Sequence, residues 1–263
     1  LESNRLKELV ESKTKLYTSI AHEFRTPLTI IMGMNDLMLH DPDKWLAEGS
    51  EKIDSNAKIL LRLVNQMLDL SRIKAGAMTI RMIRGDIVFY IKYIIELFRS
   101  FAEQKKIELR FIPGDQDMIL DYDPEKIMQI ISNLLTNALK FTQNYGRVVV
   151  EIAGIDKEKY KIRVSDNGPG IPEDHLQFIF DRFYRVNENS PGSGLGLALT
   201  MELVKLMNGS ITAASIYGEG TEFTVELPAT FHAPLQEVPG FNELKNRITE
   251  NLPPLTTMDT LSV

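Results

Sequence analysis

The 263-residue chain contains no cysteine, which excludes disulfides and thiolate metal sites. It has no apolar run near the roughly 20 residues that a membrane-spanning helix needs, and no signal peptide. It has no excess of positive charge: the formal net charge of -6 argues against a general nucleic-acid binder. There is no internal repeat and no Gly-x-x-x-x-Gly-Lys-Ser/Thr loop. What is present is ordinary for a soluble protein: 43% hydrophobic and 25% charged residues, with length enough for two domains. A helical pattern is already under way at Leu1, so the chain reads as part of a longer protein.

Apolar residues at Leu6, Leu9, Leu16 and Ile20, interrupted by Lys13, follow the three-and-four spacing of a heptad seam. The spacing predicts a helix to about His40, kinked at Pro27. Asp41-Pro42-Asp43 reads as a turn and a fresh helix start. The second helix carries Ile53, Ala57, Leu60, Leu61, Val64 and Leu68 on one face. It ends near Lys74-Ala75-Gly76, with Gly76 as the cap. One hairpin cannot bury both stripes, whereas two hairpins paired as a four-helix dimer can. Residues 1–76 therefore read as a dimerising domain.

Beyond Gly76 the texture is mixed α/β. Strands are expected over Met78–Arg84, Ile107–Ile112 and Met118–Tyr122, and a helix over Asp86–Lys105. Asp123-Pro124 opens a helix to about Thr142, with Asp at the cap and Pro in the first turn. Val148, Val150 and Ile152, then Tyr160, Ile162 and Val164, alternate as strands do. A polar stretch from Asn187 to Gly192 precedes a helix over Leu195–Met207, and two last strands flank Gly218-Glu219-Gly220. Residues 77–230 are thus expected to form a mixed sheet with helices on one face. From Ala229, prolines at 234, 239, 253 and 254 break every pattern, so residues 231–263 read as a linker or tail.

The chemistry-bearing stretches are short. His22 lies in Ser19-Ile20-Ala21-His22-Glu23-Phe24-Arg25-Thr26-Pro27-Leu28, off the seam and toward solvent. A neutral imidazole is a competent nucleophile near pH 7, and Glu23 can orient the ring or accept the proton on its other nitrogen. Asn133 and Asn137 share a helix face, which Gln129 and Lys140 extend. An amide oxygen suits Mg²⁺ that is also held by phosphate and water, and Lys140 adds positive charge. Asp166-Asn167-Gly168-Pro169-Gly170 follows a strand as a sharp turn, with Asp166 suited to an exocyclic amine such as that of adenine. Phe180-Asp181-Arg182-Phe183-Tyr184-Arg185 joins aromatic anchors to arginines able to neutralise a phosphoryl group. Gly192-Ser193-Gly194-Leu195-Gly196-Leu197 precedes a helix and would let phosphate approach free N–H groups. It is no dinucleotide fingerprint, because Leu199 stands where the third glycine would fall and no strand runs into the loop. Each stretch alone also reads as a solvated helix face or a capped turn. Their order and mutual spacing give them force. His40, His175 and His232 read as ordinary exposed histidines.

In that order the stretches resemble the core of a sensor histidine kinase of two-component signalling. Ser19–Leu28 resembles the family's H box, Asn133–Thr142 its N box and Asp166–Pro172 its G1 box; Phe180–Arg185 resembles the F box and Gly192–Leu199 the G2 box, while Gly218–Thr221 matches a third glycine element. The resemblance implies an α + α/β architecture. An antiparallel helical hairpin would form a four-helix bundle in the dimer, followed by an α/β sandwich of the gyrase/Hsp90-like (Bergerat) ATPase fold. It implies ATP and Mg²⁺ as cofactors, with Asn137 on the metal, Asn133 in support, and Asp166 on the adenine amino group. Gly168, Gly170, Gly194, Leu195, Gly196 and Thr221 would shape the pocket and lid, and Lys140 and Arg185 would touch phosphates. His22 would receive the γ-phosphoryl group with Glu23 as general base. Thr26 would orient water for dephosphorylating a partner. That partner would be a response-regulator receiver domain, in cis or in trans, whose aspartate accepts the phosphoryl group.

The same resemblance implies a homodimer through residues 1–76, no nucleic-acid partner, and a hinge near Ala75 and Gly76. It implies a cytoplasmic portion of a parent anchored in the inner membrane through a preceding region. Leu261-Ser262-Val263 as the start of a receiver strand would make that parent a hybrid kinase. Two other classes compete: an ATP-driven clamp or chaperone of the same ATPase superfamily, and a non-catalytic dimeric signalling scaffold.

Overall fold

A computed structural model describes residues 2–114, 118–156, 158–187 and 192–235, with residues 2–16 described as backbone alone. Two helices come first, α1 (Glu2–His40) and α2 (Pro42–Lys74), packed as an antiparallel hairpin. Asp41 turns the chain: its carboxylate accepts the Lys44 N–H and caps α2, with Pro42 in the first turn where no N–H is needed. At the far end the Gly76 N–H donates to the Ile73 carbonyl and the Ala77 N–H to the Arg72 carbonyl, the pairing of a Schellman stop. Helix α1 continues through Pro27, whose missing N–H leaves the Glu23 carbonyl without its usual helical donor. The seam residues Leu6, Leu9, Lys13 and Leu16 lie on helical backbone, but their side chains fall outside the described set.

The second body contains β1 (Ile83–Asp86), α3 (Ile87–Leu97), α4 (Arg99–Gln104), β2 (Glu108–Pro113), β3 (Ile119–Tyr122) and α5 (Pro124–Phe141). It continues with β4 (Arg147–Gly154), β5 (Lys159–Asp166), α6 (Glu173–Leu176), α7 (Gly196–Leu206), β6 (Ser210–Ile216) and β7 (Gly220–Pro228). The main sheet runs β2-β4-β5-β7-β6, with β2 parallel to β4 and the other pairs antiparallel. Val148, Val150, Ile152, Ile162, Val164, Val225 and Leu227 fill its inner face against Ile127, Ile130, Ile131 and Leu134 of α5 and Leu199 and Leu203 of α7. Each such side chain contributes about 1.5–3 kcal/mol on burial. The outer face carries half-exposed charge, such as Arg163 between Glu151 and Glu222. The expected mixed sheet with helices on one face is what forms. Among the described residues no helix is long and apolar enough to cross a membrane.

Three local expectations are corrected. Met78–Arg84 is not one strand: only Ile83–Asp86 pairs, antiparallel with β3 in a separate two-stranded sheet. Met78, Ile80 and Met82 are half-buried against the core, so their alternation reports one covered side of an extended connector. The helix expected over Asp86–Lys105 is two, because Phe98 tightens the chain with an N–H to Ile95 and sinks into the core. The segment from Ala229 does not begin as a free linker. Asp121 donates its N–H to Thr230, Arg84 donates its N–H to Pro234, and both oxygens of Asp121 are used. One accepts from Arg84 Nε at 3.1 Å and the other from the His232 and Ala233 N–H groups. Pro234 fits there because only its carbonyl is required. The remaining prolines and Leu261–Val263 lie outside the described residues.

Candidate nucleotide pocket and histidine face

Helix α5 presents its inward apolar side to the sheet, and Asn133, Asn137 and Lys140 are half-buried along another side. The Asn133 amide donates to the Gly196 carbonyl and to Thr200 Oγ1, both at 3.3 Å, so the stripe is tied to the first turn of α7. Lys140 lies beside Gly192, where a Cβ would come within 2.9 Å of its Nζ, and over the Phe141 ring. Burial, and then the nearby Arg185 charge, push the Lys140 ammonium down to about 8. A cation displaced in this way favours an anion that can replace its lost water.

The Asp166 turn closes the other side. Asp166 Oδ1 accepts the Gly168 N–H at 2.9 Å, and the Thr221 N–H also reaches the carboxylate. Burial outweighs these donors and raises the Asp166 acid to about 6. Gly170 has φ 68° and abuts the Ile216 carbonyl, so a side chain there would meet both backbone strain and backbone atoms. Ser215, absent from the sequence reading, is the hub behind this wall: it receives the Ile171 N–H, donates to the Gly220 carbonyl and pairs with Thr221 Oγ1. Only its position opposite Thr221 in the β6–β7 register reveals it.

The aromatic stretch is a turn rather than a helix. Phe180 stands edge-on to Phe223, and Phe183 is held at φ 63° with its N–H on the Gly194 carbonyl. Gly194, at φ 66°, packs so close to Phe183 that a Cβ would sit 2.6 Å from that residue's carbonyl carbon. Tyr184 OH pairs with His175 Nδ1 at 2.5 Å, so His175 is not the plain exposed residue expected. Leu195 is buried and precedes the first turn of α7. The contacts thus tie Asn133 to Gly196, Lys140 to Gly192, Asp166 to Gly168 and Thr221, and the end of α5 at Phe141 to Gly168, while Gly170 packs on Ile216, Gly194 on Phe183, and Asn137 is half-buried on α5. Among the described residues no three His, Asp or Glu side chains converge on a possible metal position. The amide oxygen of Asn137, with phosphate and water, fits a hard divalent ion better than a preformed carboxylate cage.

His22 and Thr26 are exposed on α1 one turn apart, and Thr26 Oγ1 lies 3.5 Å from the His22 carbonyl. Glu23 does not stay on its own helix. Its carboxylate meets Arg185 across the junction of the two bodies at 3.3 Å, with side chains only 17% and 24% exposed. Arg185 also donates to the Gly192 carbonyl. Helix α2 adds further contacts: Asp69 accepts from Gln129 at 2.9 Å, and Gln66 from Ser193 at 3.4 Å. Leu63 and Leu70 join the core of the second body. This second face of α2 was missed because Ile59, Leu63, Gln66 and Leu70 interleave with the Leu61–Val64–Leu68 stripe. The latter remains exposed, as do Leu28 and Met32 of α1.

Residues 12–76 match the family model described as the His Kinase A (phospho-acceptor) domain. Residues 122–230 match the model described as the histidine kinase-, DNA gyrase B-, and HSP90-like ATPase. The chain is 36% identical over 236 residues to hybrid signal transduction histidine kinase D of Dictyostelium discoideum, covering 86% of this chain and 15% of that protein. It is 34% identical over 235 residues to sensor histidine kinase TmoS of Ectopseudomonas mendocina, covering 85% and 24% respectively. The chain thus spans about a quarter or less of these relatives' length. Among solved structures, full-length ShkA in complex with AMPPNP aligns with a TM-score of 0.65 at 30% identity, covering 83% of this chain and 47% of that one.

Proposed function

This chain belongs to the sensor histidine kinases of two-component signalling, and on that premise we propose that it transfers the γ-phosphoryl group of ATP to His22 and then to a receiver aspartate. The observation that carries this reading is the Glu23–Arg185 pair, which joins the neighbour of an exposed histidine to the loop beside the phosphate-facing lysine. Asp166 accepts the adenine amine. Lys140 and Arg185 balance phosphate charge, and the Gly168, Gly170 and Gly194 backbones admit the ligand closely. Mg²⁺, held by Asn137 with Asn133 in support, supplies further charge neutralisation when bound.

In the transfer a ring nitrogen of His22 donates its lone pair to the γ-phosphorus. The bond to the β–γ bridging oxygen breaks, and ADP leaves with that electron pair. Glu23 takes the proton from the other ring nitrogen. Arg185 must leave Glu23 for this, so the bodies shift about the Ala75–Gly76 stop and the connector after it. Residues 1–76 pair with a second copy through the open Leu61–Val64–Leu68 face, and the ATPase body runs from 77 through Leu235. The second acceptor is a receiver domain, in cis or in trans, with Thr26 orienting the water that later removes its phosphoryl group. Dependence on ATP places this portion on the cytoplasmic side of any membrane its parent engages.

The test is incubation with γ-labelled ATP. An acid-labile, alkali-stable label is expected on the protein, and none on His22→Gln or Asn137→Asp. Thr26→Ala should keep the label while slowing loss of phosphate from an added phosphorylated receiver. Free phosphate with no protein label would replace this reading with an ATP-driven clamp; no ATP binding at all would leave a scaffold.

A further inference from the structure

Arg62 of α2 has no part in the scheme above, yet it is the cation with the least ordinary surroundings. Its Nη2 is buried and makes no hydrogen bond among the described residues. Burial alone pushes its guanidinium down to about 10. The residue is half-buried overall, so its charge is partly desolvated with one nitrogen left unmatched, a position that an anion would stabilise.

Two independent lines locate it. The first runs along α2. Asp69, Gln66 and Arg62 fall at helical three-and-four spacing, and Asp69 and Gln66 touch Gln129 and Ser193 of the ATPase body. Arg62 is the next rung of that ladder, and its Nη2 finds no hydrogen-bond partner among the described residues. The second runs across the hairpin. Gly49 packs against Met34 and Met38, which fixes the register of α1 on α2. Equal counts from that contact bring Arg62 level with His22 and Glu23, since both helices rise about 1.5 Å per residue. At that level Glu23 meets Arg185, Arg185 meets the Gly192 carbonyl, and Lys140 lies beside Gly192. Arg62 therefore lies at the axial level of His22, on the row of α2 that meets the ATPase body. Besides Arg62, the described contacts here bring together two further cations, Arg185 and Lys140, and the carboxylate of Glu23.

We propose that Arg62 is a catalytic cation contributed by the hairpin, which binds the γ-phosphoryl oxygens of the nucleotide as the group moves to His22. This rests on the kinase reading above. Arg62 makes no bond to the reacting phosphorus. It offsets charge on the oxygens that travel with it, so its contribution is largest when the phosphoryl group lies between the two bodies and small for a nucleotide that lacks one.

The experiment compares the whole chain with Arg62→Met, Arg62→Lys and Arg62→Ala. For Arg62→Met, transfer from γ-labelled ATP to His22 should fall on the order of 100-fold. Its ADP affinity should stay within about twofold, as expected for a group that reads the terminal phosphate alone. Its melting temperature should rise, because a partly desolvated, unmatched charge has been removed. Arg62→Lys should keep part of the rate, and added methylguanidinium should restore part of it to Arg62→Ala. A structural role predicts the opposite pattern, with lower melting temperature, weaker ADP binding and no rescue, and would overturn the proposal. So would wild-type labelling by Arg62→Met. Absence of label on the wild-type chain would instead overturn the kinase reading itself, so the two failures are separable.

Discussion

Asp166 and Lys140 are both drawn toward their neutral forms by burial, and both are most useful charged. On the proposed reading the nucleotide requires Asp166 ionised for the adenine amine and Lys140 protonated for phosphate. ADP affinity should therefore be greatest between about pH 6 and about pH 8, falling on either side, as titration calorimetry across pH would show. Asp166→Asn should abolish much of the affinity and with it the acid limb. Folding stability has its own sign. Because the folded acid is raised from 3.8, Asp166's contribution is fully present below about pH 3.8 and is lost as pH rises through about 6. Asp166→Asn should accordingly raise the melting temperature at pH 7 even as function is lost. An unchanged pH profile in that variant would remove Asp166 from the pocket.

Among the elements, α5 and the strand alternations were legible from sequence because their apolar period and caps agree. Asp123, Pro124 and the Ile127–Leu134 stripe all point to the same helix. Where two demands overlap, the pattern blurs. Helix α2 serves one face to an open stripe and the other to the ATPase body, and a single-stripe reading finds only the first. Motif order proposes the nucleotide-facing residues, but it could not give the Glu23–Arg185 and Asp69–Gln129 contacts, since residues far apart in sequence set them. The closure of Phe183 on Gly194 also depends on tertiary fit, since both residues have positive φ and pack against each other. Gly194→Ala adds a Cβ to a left-handed position pressed on Phe183. It should weaken ATP binding about tenfold, measured by displacement of a fluorescent nucleotide, while leaving the core's melting transition nearly unchanged. Wild-type affinity in that variant would show that the turn can rebuild itself.

At the scale of the whole molecule, the hairpin has one covered side and one open side. Leu61, Val64 and Leu68, with Leu28 and Met32, expose an apolar band that a single chain leaves in water. Leu61→Glu with Leu68→Glu should shift light-scattering mass from dimer to monomer without loss of ADP binding. A dimer that survives both charges would move the pairing surface elsewhere. The chain spans about a quarter or less of the length of the relatives it matches.

The Asp121–Arg84 clasp bears on how any attached segment would be carried. Because β1 follows the connector from α2 and is also bonded to Pro234, the ATPase body takes in and pays out its backbone at one corner. Cargo spliced after Leu235 would ride close to the pivot and sweep a small arc, even when the far rim of the body swings widely.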